Sequence, residues 1–140
     1  MTAPHADALV AAYRRTEYRV EDRGYAFVLR VDEPSAALRV CHDEFAVRCS
    51  AYLTAWNPRS QPTARDVNRA AMQRLEADLH AQRLPYLQGI GVDPAGDWRA
   101  EPSLLVLGAD QGTALVLAQR YAQHAILCTE ADATPRLIFT

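Results

Sequence analysis

The stretch AYLTAWNPRS, residues 51–60, joins an apolar run typical of a β-strand to a polar turn that leads into an amphipathic helix. In α/β proteins, ligands often bind where a strand end leads to a helix N-terminus, because unpaired helix N–H groups and side chains freed from the sheet converge there. We therefore expect residues 54–63 to form one wall of a polar cleft. The pattern locates a site but specifies no reaction.

Length and composition predict one compact domain spanning residues 1–140. The chain is 49% hydrophobic and 23% charged, and its net charge of −2 argues against broad nucleic-acid binding. No apolar run reaches the ~20 residues of a membrane span, and residues 1–7 lack the basic and apolar regions of a signal peptide. These features predict a cytoplasmic protein that does not enter a membrane.

All 15 basic residues are arginine. A chain without lysine cannot be a Walker-type P-loop NTPase, a pyridoxal enzyme or another Schiff-base catalyst, because those chemistries need an ammonium or amine group. Cys41, Cys49 and Cys128 follow no C-x-x-C spacing. We therefore expect free thiols in a reducing compartment, with no metal and no cofactor.

The hydrophobic pattern alternates between helical and strand periods and contains no internal repeat. It predicts helices over 6–15, after Ser35, over 64–83 and over 110–123. It predicts strands over 18–21, 25–31, 47–56, 86–91, 103–107, 124–129 and 136–139, the last as a sheet edge. Turn residues at 22–24 and 93–97 predict two hairpins, and Gly89-Ile90-Gly91 predicts a bulge or turn. The expected fold class is α/β (α+β), a sandwich in which about four helices cover a mixed, mostly antiparallel sheet.

The Asn57-Pro58-Arg59-Ser60 segment offers an amide, a guanidinium and a hydroxyl just before the long helix. These groups suit an anion or phosphate, which the helix N-terminus, capped by Thr63, would also attract. The alternative is a turn opened by Asn57, with Ser60 capping the entry into the helix.

Asn68 shares the inward stripe of the predicted long helix with apolar residues one, two and three turns further on. A buried amide must be hydrogen-bonded. Asn68 therefore either holds the preceding loop in place or lines a pocket with Asn57 and Ser60.

A second group of polar residues lies at 98–103. Strand periodicity puts Glu101 and Ser103 on one face, so Glu101 is a candidate general base or acceptor for ribose hydroxyls, and Trp98 can stack on a ring. Alternatively, Trp98 covers the hairpin and Glu101 bonds loop amides or an arginine. Gln123, at the end of the last helix, either reaches the same cleft or caps the preceding carbonyls.

Together these motifs resemble the bacterial domain of unknown function 3293 family from about Tyr13 to Ile126. The residues that carry the resemblance are the segments 54–60, 84–86, 97–98, 101–103, 105–108 and 122–126, with Asn68, Gly89 and Gly91. The resemblance implies a stand-alone domain with its polar motifs in the expected cleft. It implies no particular activity, cofactor or catalytic residue.

Two functional classes fit these observations. In the first, the cleft binds a small anionic metabolite or a nucleotide, with Asn57, Arg59 and Ser60 on the anion, Trp98 stacking and Glu101 as base or hydroxyl acceptor. In the second, the chain is a non-enzymatic interaction or regulatory module whose polar motifs are structural and whose partner is a second copy or another protein.

Overall fold

The computed structural model describes residues 7–140. Ala6, the first residue of the first predicted helix, and most of the segment considered for a signal peptide lie outside the described residues. The helices are α1 (Asp7–Arg15), α2 (Ala36–Glu44), α3 (Arg65–Ala81) and α4 (Gln111–Arg120). The strands are β1 (Glu17–Asp22), β2 (Tyr25–Leu29), β3 (Ser50–Leu53), β4 (Tyr86–Val92), β5 (Glu101–Leu107), β6 (Ala125–Thr129) and β7 (Arg136–Phe139). A short 3₁₀ helix spans Pro58–Ser60.

The strands form one sheet in the order β2-β1-β4-β5-β3-β6-β7. This α+β arrangement confirms the predicted fold class, and β7 is an edge as expected. The expectation of a mixed sheet is wrong, because every ladder between described strands is antiparallel. Strands joined by a helix run in the same direction but are never neighbours. For example, β3 lies between β5 and β6, which α4 connects.

The two faces of the sheet pack against different helices. On β3, Ala51 and Leu53 point into a core shared with α3 and α4, whereas Tyr52 points into a second core shared with α2. This alternation follows from the two-residue period of a strand. Because both faces are covered, all four residues of β3 are buried.

Local side-chain bonds explain where the elements begin and end. Ser35 caps α2 as expected, its hydroxyl accepting the Leu38 N–H at 3.0 Å. The prediction that Thr63 caps the long helix is wrong, since Ala64 holds that position without a side-chain cap. Instead, the Thr63 N–H donates a hydrogen bond to Oδ1 of Asn57 at 3.1 Å.

β3 is shorter than the predicted strand over 47–56. Beyond Leu53 the Thr54 hydroxyl donates to the Pro102 carbonyl at 2.7 Å and accepts the Trp56 N–H at 2.9 Å. These bonds turn the chain out of the ladder and towards residues 57–60, which we call the polar loop. None of the helices within residues 7–140 is long and apolar enough to cross a membrane.

Candidate functional site

A cavity of about 100 Å³ lies between α1, the ends of the central strands and the 93–100 connection. We call it the Glu101 cavity. Its apolar wall includes Leu9, Ala12, Leu53, Ile126, Leu127 and Leu137. Its aromatic residues are Tyr13, Tyr18, Tyr52 and Trp98, and its polar ones are Thr16, Thr54, Asn57, Ser60, Asp93, Arg99, Glu101, Ser103 and Gln123.

Glu101 is the first residue of β5 and lies opposite Gly91 of β4. Burial raises the pKa of its carboxyl from the ordinary 4.5 to about 7, and a hydrogen bond from Asn57 partly opposes that rise. In that bond Asn57 Nδ2 donates to Glu101 Oε2 at 3.1 Å. Within residues 7–140 no cation pairs with Glu101, and its other oxygen, Oε1, has no hydrogen-bond partner. The cavity therefore contains an acid that titrates near neutral pH.

Asn57 is held in place by reciprocal bonds with Asn68. The Asn57 N–H donates to Asn68 Oδ1 at 2.8 Å, and Asn68 Nδ2 donates to Asn57 Oδ1 at 2.8 Å. Asn68 Nδ2 also donates to the Thr63 carbonyl at 3.2 Å. Asn68 is 1% exposed and does not line the cavity. Its bonds orient the Asn57 amide so that the NH₂ group faces Glu101.

The polar loop contains three non-glycine residues in the left-handed region. Asn57 has φ 48°, and Arg59 and Ser60 both have φ 57°. Asparagine adopts this region readily, but arginine and serine do so at a cost in free energy. Strained backbone of this kind clusters at ligand sites when surrounding bonds hold it. Here the Arg59 N–H donates to the Ala122 carbonyl at 2.7 Å.

The strained loop brings Ser60 close to two residues from distant parts of the chain. Its Oγ lies 3.0 Å from Nδ1 of His124 and 3.3 Å from the Tyr13 hydroxyl. A serine beside a histidine is one requirement of nucleophilic catalysis. However, the N–H groups of Ser60 and Gln61 already donate to carbonyls of the same loop. They are therefore not free to stabilise an oxyanion, so the arrangement forms a polar wall.

The structure separates the three residues expected to bind an anion. Asn57 and Ser60 line the cavity, whereas Arg59 is exposed and lies outside its lining. Another guanidinium, Arg99, lines the cavity instead. Arg99 is exposed and has no hydrogen bond or ion pair with the rest of residues 7–140. Nothing in the sequence around Arg99 distinguishes it from the other arginines.

Arg15 fixes the connection that carries Trp98 and Arg99. From the end of α1 its guanidinium donates to both oxygens of Asp93, at 2.8 and 3.1 Å, and to Asp97 at 3.1 Å. Arg15 thereby holds the pKa of Asp93 at about 2. Trp98 remains 42% exposed while lining the cavity, so its ring is accessible to a ligand.

Three tyrosines that the sequence pattern did not single out also line the cavity. The Tyr18 hydroxyl donates to the Tyr13 carbonyl at 2.6 Å, and the Tyr52 hydroxyl donates to the Arg19 carbonyl at 2.7 Å. The rings of Tyr18 and Tyr52 meet edge to face with centroids 5.4 Å apart. Burial raises the pKa of Tyr13, Tyr18 and Tyr52, so all three are neutral at physiological pH. For Tyr18 and Tyr52, positions on buried faces of β1 and β3 were the available signal.

The family model described as "Protein of unknown function (DUF3293)" matches residues 53–126. The chain belongs to this family. Comparisons of the chain with curated proteins and with solved structures found no match. The segment shared with the DUF3293 family includes the polar loop, Asn68 and Glu101, whereas Tyr13 and Tyr18 precede it.

Two further residues of the DUF3293 segment line the cavity while making internal bonds. The Ser103 hydroxyl donates to the Glu101 carbonyl at 3.0 Å. Gln123 Nε2 donates to the carbonyls of Trp56 and Tyr121, at 3.2 and 3.1 Å. Gln123 therefore reaches the cleft and also bonds the C-cap residue of α4. Within residues 7–140 there is no cluster of three or more His, Cys, Asp and Glu side chains suited to a metal ion.

Proposed function

We propose that the chain binds a small ligand in the Glu101 cavity. In this proposal a ring of the ligand stacks on Trp98, a donor group reaches Glu101, and any anionic group lies at the mouth near Arg99. The observation that carries the proposal is Glu101 itself, a partly buried acid that has one neutral hydrogen-bond partner and no paired cation within residues 7–140.

A partly buried acid of this kind lowers the stability of the fold, so stability does not account for its presence. Burial of a carboxylate without a compensating charge is unfavourable, and groups with strongly shifted pKa values concentrate at functional sites. The Asn57–Asn68 bonds and the left-handed backbone of the loop maintain this arrangement. A carboxyl that titrates near pH 7 is also suited to transfer a proton, so Glu101 is the candidate general base if the bound ligand reacts.

The size of the cavity limits the ligand. A volume of about 100 Å³ admits a ring-sized group but not a whole nucleotide. A nucleotide-like ligand would therefore place its ring inside and its phosphate at the mouth. This position differs from the one expected from sequence, because Arg99 rather than Arg59 lines the cavity.

The alternative, an interaction or regulatory module, is less well supported. Among the exposed large apolar side chains other than Trp98, Val28 and Ile90 lie on either side of the exposed Arg19 in the sheet, and Val40, Val67 and Val116 lie on three different helices. An interface needs such residues gathered into one patch. The proposal places the ligand in a bacterial cytoplasm, supported by the family resemblance and by three free cysteines, which are typical of a reducing compartment.

A thermal-shift screen of nucleosides, nucleotides, sugar phosphates, carboxylates and amines tests the proposal. A ligand at 100 times its dissociation constant should stabilise the fold by ~2.7 kcal/mol. We expect the shift to be reduced in Trp98→Ala and Glu101→Gln and retained in Val116→Ala, which truncates an exposed side chain on α4. A screen without hits contradicts the proposal. So do hits whose shifts persist in both cavity variants.

A further inference from the structure

We infer that the chemical group recognised at Glu101 is a protonated amine, so that the ligands of this cavity carry an ammonium group on a small ring or apolar body. The inference rests on the proposed function, since it names the class of ligand that the cavity binds. It also distinguishes the cavity from an anion site, the kind of site that the sequence around Arg59 predicts.

Among the residues that the structure describes, no positively charged side chain pairs with Glu101. Asp93 is paired with Arg15, and Arg99 belongs to the exposed mouth. The titratable groups that face Glu101 from the other elements are Tyr13 of α1, Tyr18 of β1 and Tyr52 of β3, with His124 beyond Ser60. The tyrosines are neutral because burial raises the pKa of each. An ammonium ion would therefore supply the charge that the site lacks.

Apart from the exposed Arg99 and Trp98, the main hydrogen-bond donors of the cavity wall are already in use. The hydroxyls of Tyr18 and Tyr52 donate to main-chain carbonyls, and so does the amide of Gln123. The NH₂ group of Asn57 donates to Glu101. An anion inside the cavity requires free donors there, whereas Oε1 of Glu101, which can only accept when ionised, has no hydrogen-bond partner within residues 7–140.

The aromatic lining also favours a cation. Aromatic rings carry negative charge on their faces and attract ammonium groups, most strongly where water is excluded. Tyr13, Tyr18, Tyr52 and Trp98 all line the cavity that contains the carboxylate. A carboxylate among aromatic rings is suited to an amine attached to a ring or short apolar chain.

Three probes with the same ring and different head groups test the inference: benzylamine, benzyl alcohol and benzoate. Each is titrated into ¹⁵N-labelled protein while the indole N–H signal of Trp98 is followed, with Trp56 as an internal reference. We expect benzylamine to bind at least ~10-fold more tightly than either other probe. Glu101→Gln should remove this preference. Glu21→Gln, which removes a carboxylate from an exposed position on β1, should leave it intact.

The pH dependence of the unaltered protein tests the same point without a substitution. Alkylammonium groups stay protonated through neutral pH, so the ionisation of Glu101 decides the outcome. Benzylamine affinity should rise as pH increases through about 7 and level off above it. An anion or a neutral acceptor would need protonated Glu101, and its affinity would fall over the same range.

Two results overturn the inference and leave the proposed function standing. One is tighter binding of benzyl alcohol or benzoate at Trp98, and the other is benzylamine affinity that falls as pH rises. A lack of response to benzylamine also overturns the inference. The proposed function fails if the broader thermal-shift screen finds no ligand, or finds only ligands whose shifts persist in both Trp98→Ala and Glu101→Gln.

Discussion

At the scale of single residues, Glu101 links the stability of the fold to pH. Its pKa is raised by burial from 4.5 to about 7, so between these values the folded state binds more protons than the unfolded state. Stability therefore falls as pH rises from 4.5 to about 7 and stays at the lower level above that range. The lowered pKa of Asp93 acts in the opposite sense, but at more acidic pH.

Glu101→Gln removes this titration and should stabilise the protein at alkaline pH. The expected gain is on the order of 2 kcal/mol above the folded-state pKa, with little gain in acid, since each pKa unit corresponds to about 1.4 kcal/mol and partial exposure reduces the effect. Urea unfolding at a series of pH values measures the difference between variant and parent. Glu21→Gln serves as the control, and an advantage of Glu101→Gln that is constant with pH would contradict the assignment.

Sequence reasoning found some residues of the site and missed others for identifiable reasons. Glu101 and Asn57 stood out because polar groups occupied a strand start and a loop. The position of Arg59 depends on a left-handed backbone that directs its N–H to Ala122, and local sequence does not specify that conformation. Tyr13 reaches the site through a contact between distant parts of the chain, its hydroxyl lying 3.3 Å from that of Ser60, and such long-range packing leaves no local pattern.

At the scale of elements, the two glycines of β4 have different roles. They belong to a regular ladder, Gly89 opposite Ser103 and Gly91 opposite Glu101, so the expected bulge is absent from this strand. A Cβ atom on Gly89 would lie 2.4 Å from the Arg19 carbonyl oxygen and 2.7 Å from the Tyr52 hydroxyl. Gly89 thus leaves room for the hydrogen bond that holds Tyr52 beside the cavity.

Gly89→Ala should therefore destabilise the fold, and Gly91→Ala should not. Overpacking of this kind costs roughly 1–3 kcal/mol. A Cβ on Gly91 would meet its nearest atoms at 3.7 and 3.9 Å, which is ordinary contact, and alanine there should be neutral or stabilising by about 0.5–1 kcal/mol. Chemical denaturation of both variants provides the comparison, and equal effects would show that the close approach at Gly89 is unimportant.

Elements with strong local signals were predictable, whereas their order in the sheet was not. The hairpin at 22–24 has φ 50° at Arg23 and 86° at Gly24, as a two-residue turn requires. The cap at Ser35 and the edge strand at 136–139 also follow from adjacent residues. By contrast, the position of β3 between β5 and β6 depends on residues far apart in the chain, and an apolar run alone does not identify its neighbours.

At the scale of the whole molecule, the three cysteines should differ in reactivity. Cys41 and Cys128 are buried, and burial raises the pKa of each thiol to about 11, whereas Cys49 is partly exposed. Because the thiolate is the reactive form, a disulfide reagent should modify Cys49 first and the other two only as the protein unfolds. Absorbance of the released thiol follows the reaction, and Cys49→Ser should abolish the fast phase.

A small single domain is expected to melt in one cooperative transition. Because the cysteines are free, reductant should not shift the melting temperature. A large decrease in melting temperature with reductant would mean that a disulfide stabilises the fold. Fast modification of Cys41 or Cys128 in the native protein would contradict their burial.

The position of β3 also has a consequence for how the chain folds during synthesis. Hairpins such as β1–β2 and β4–β5 join nearby segments, but β3 at residues 50–53 pairs with β5 and with β6 at residues 125–129. Pairing across such distances is slow, because the entropy of a long loop is lost before contacts form. While a ribosome adds ~5–20 residues per second, one edge of β3 remains unpaired until β6 has emerged. The centre of the sheet is therefore completed late, although its strand is the third to be made.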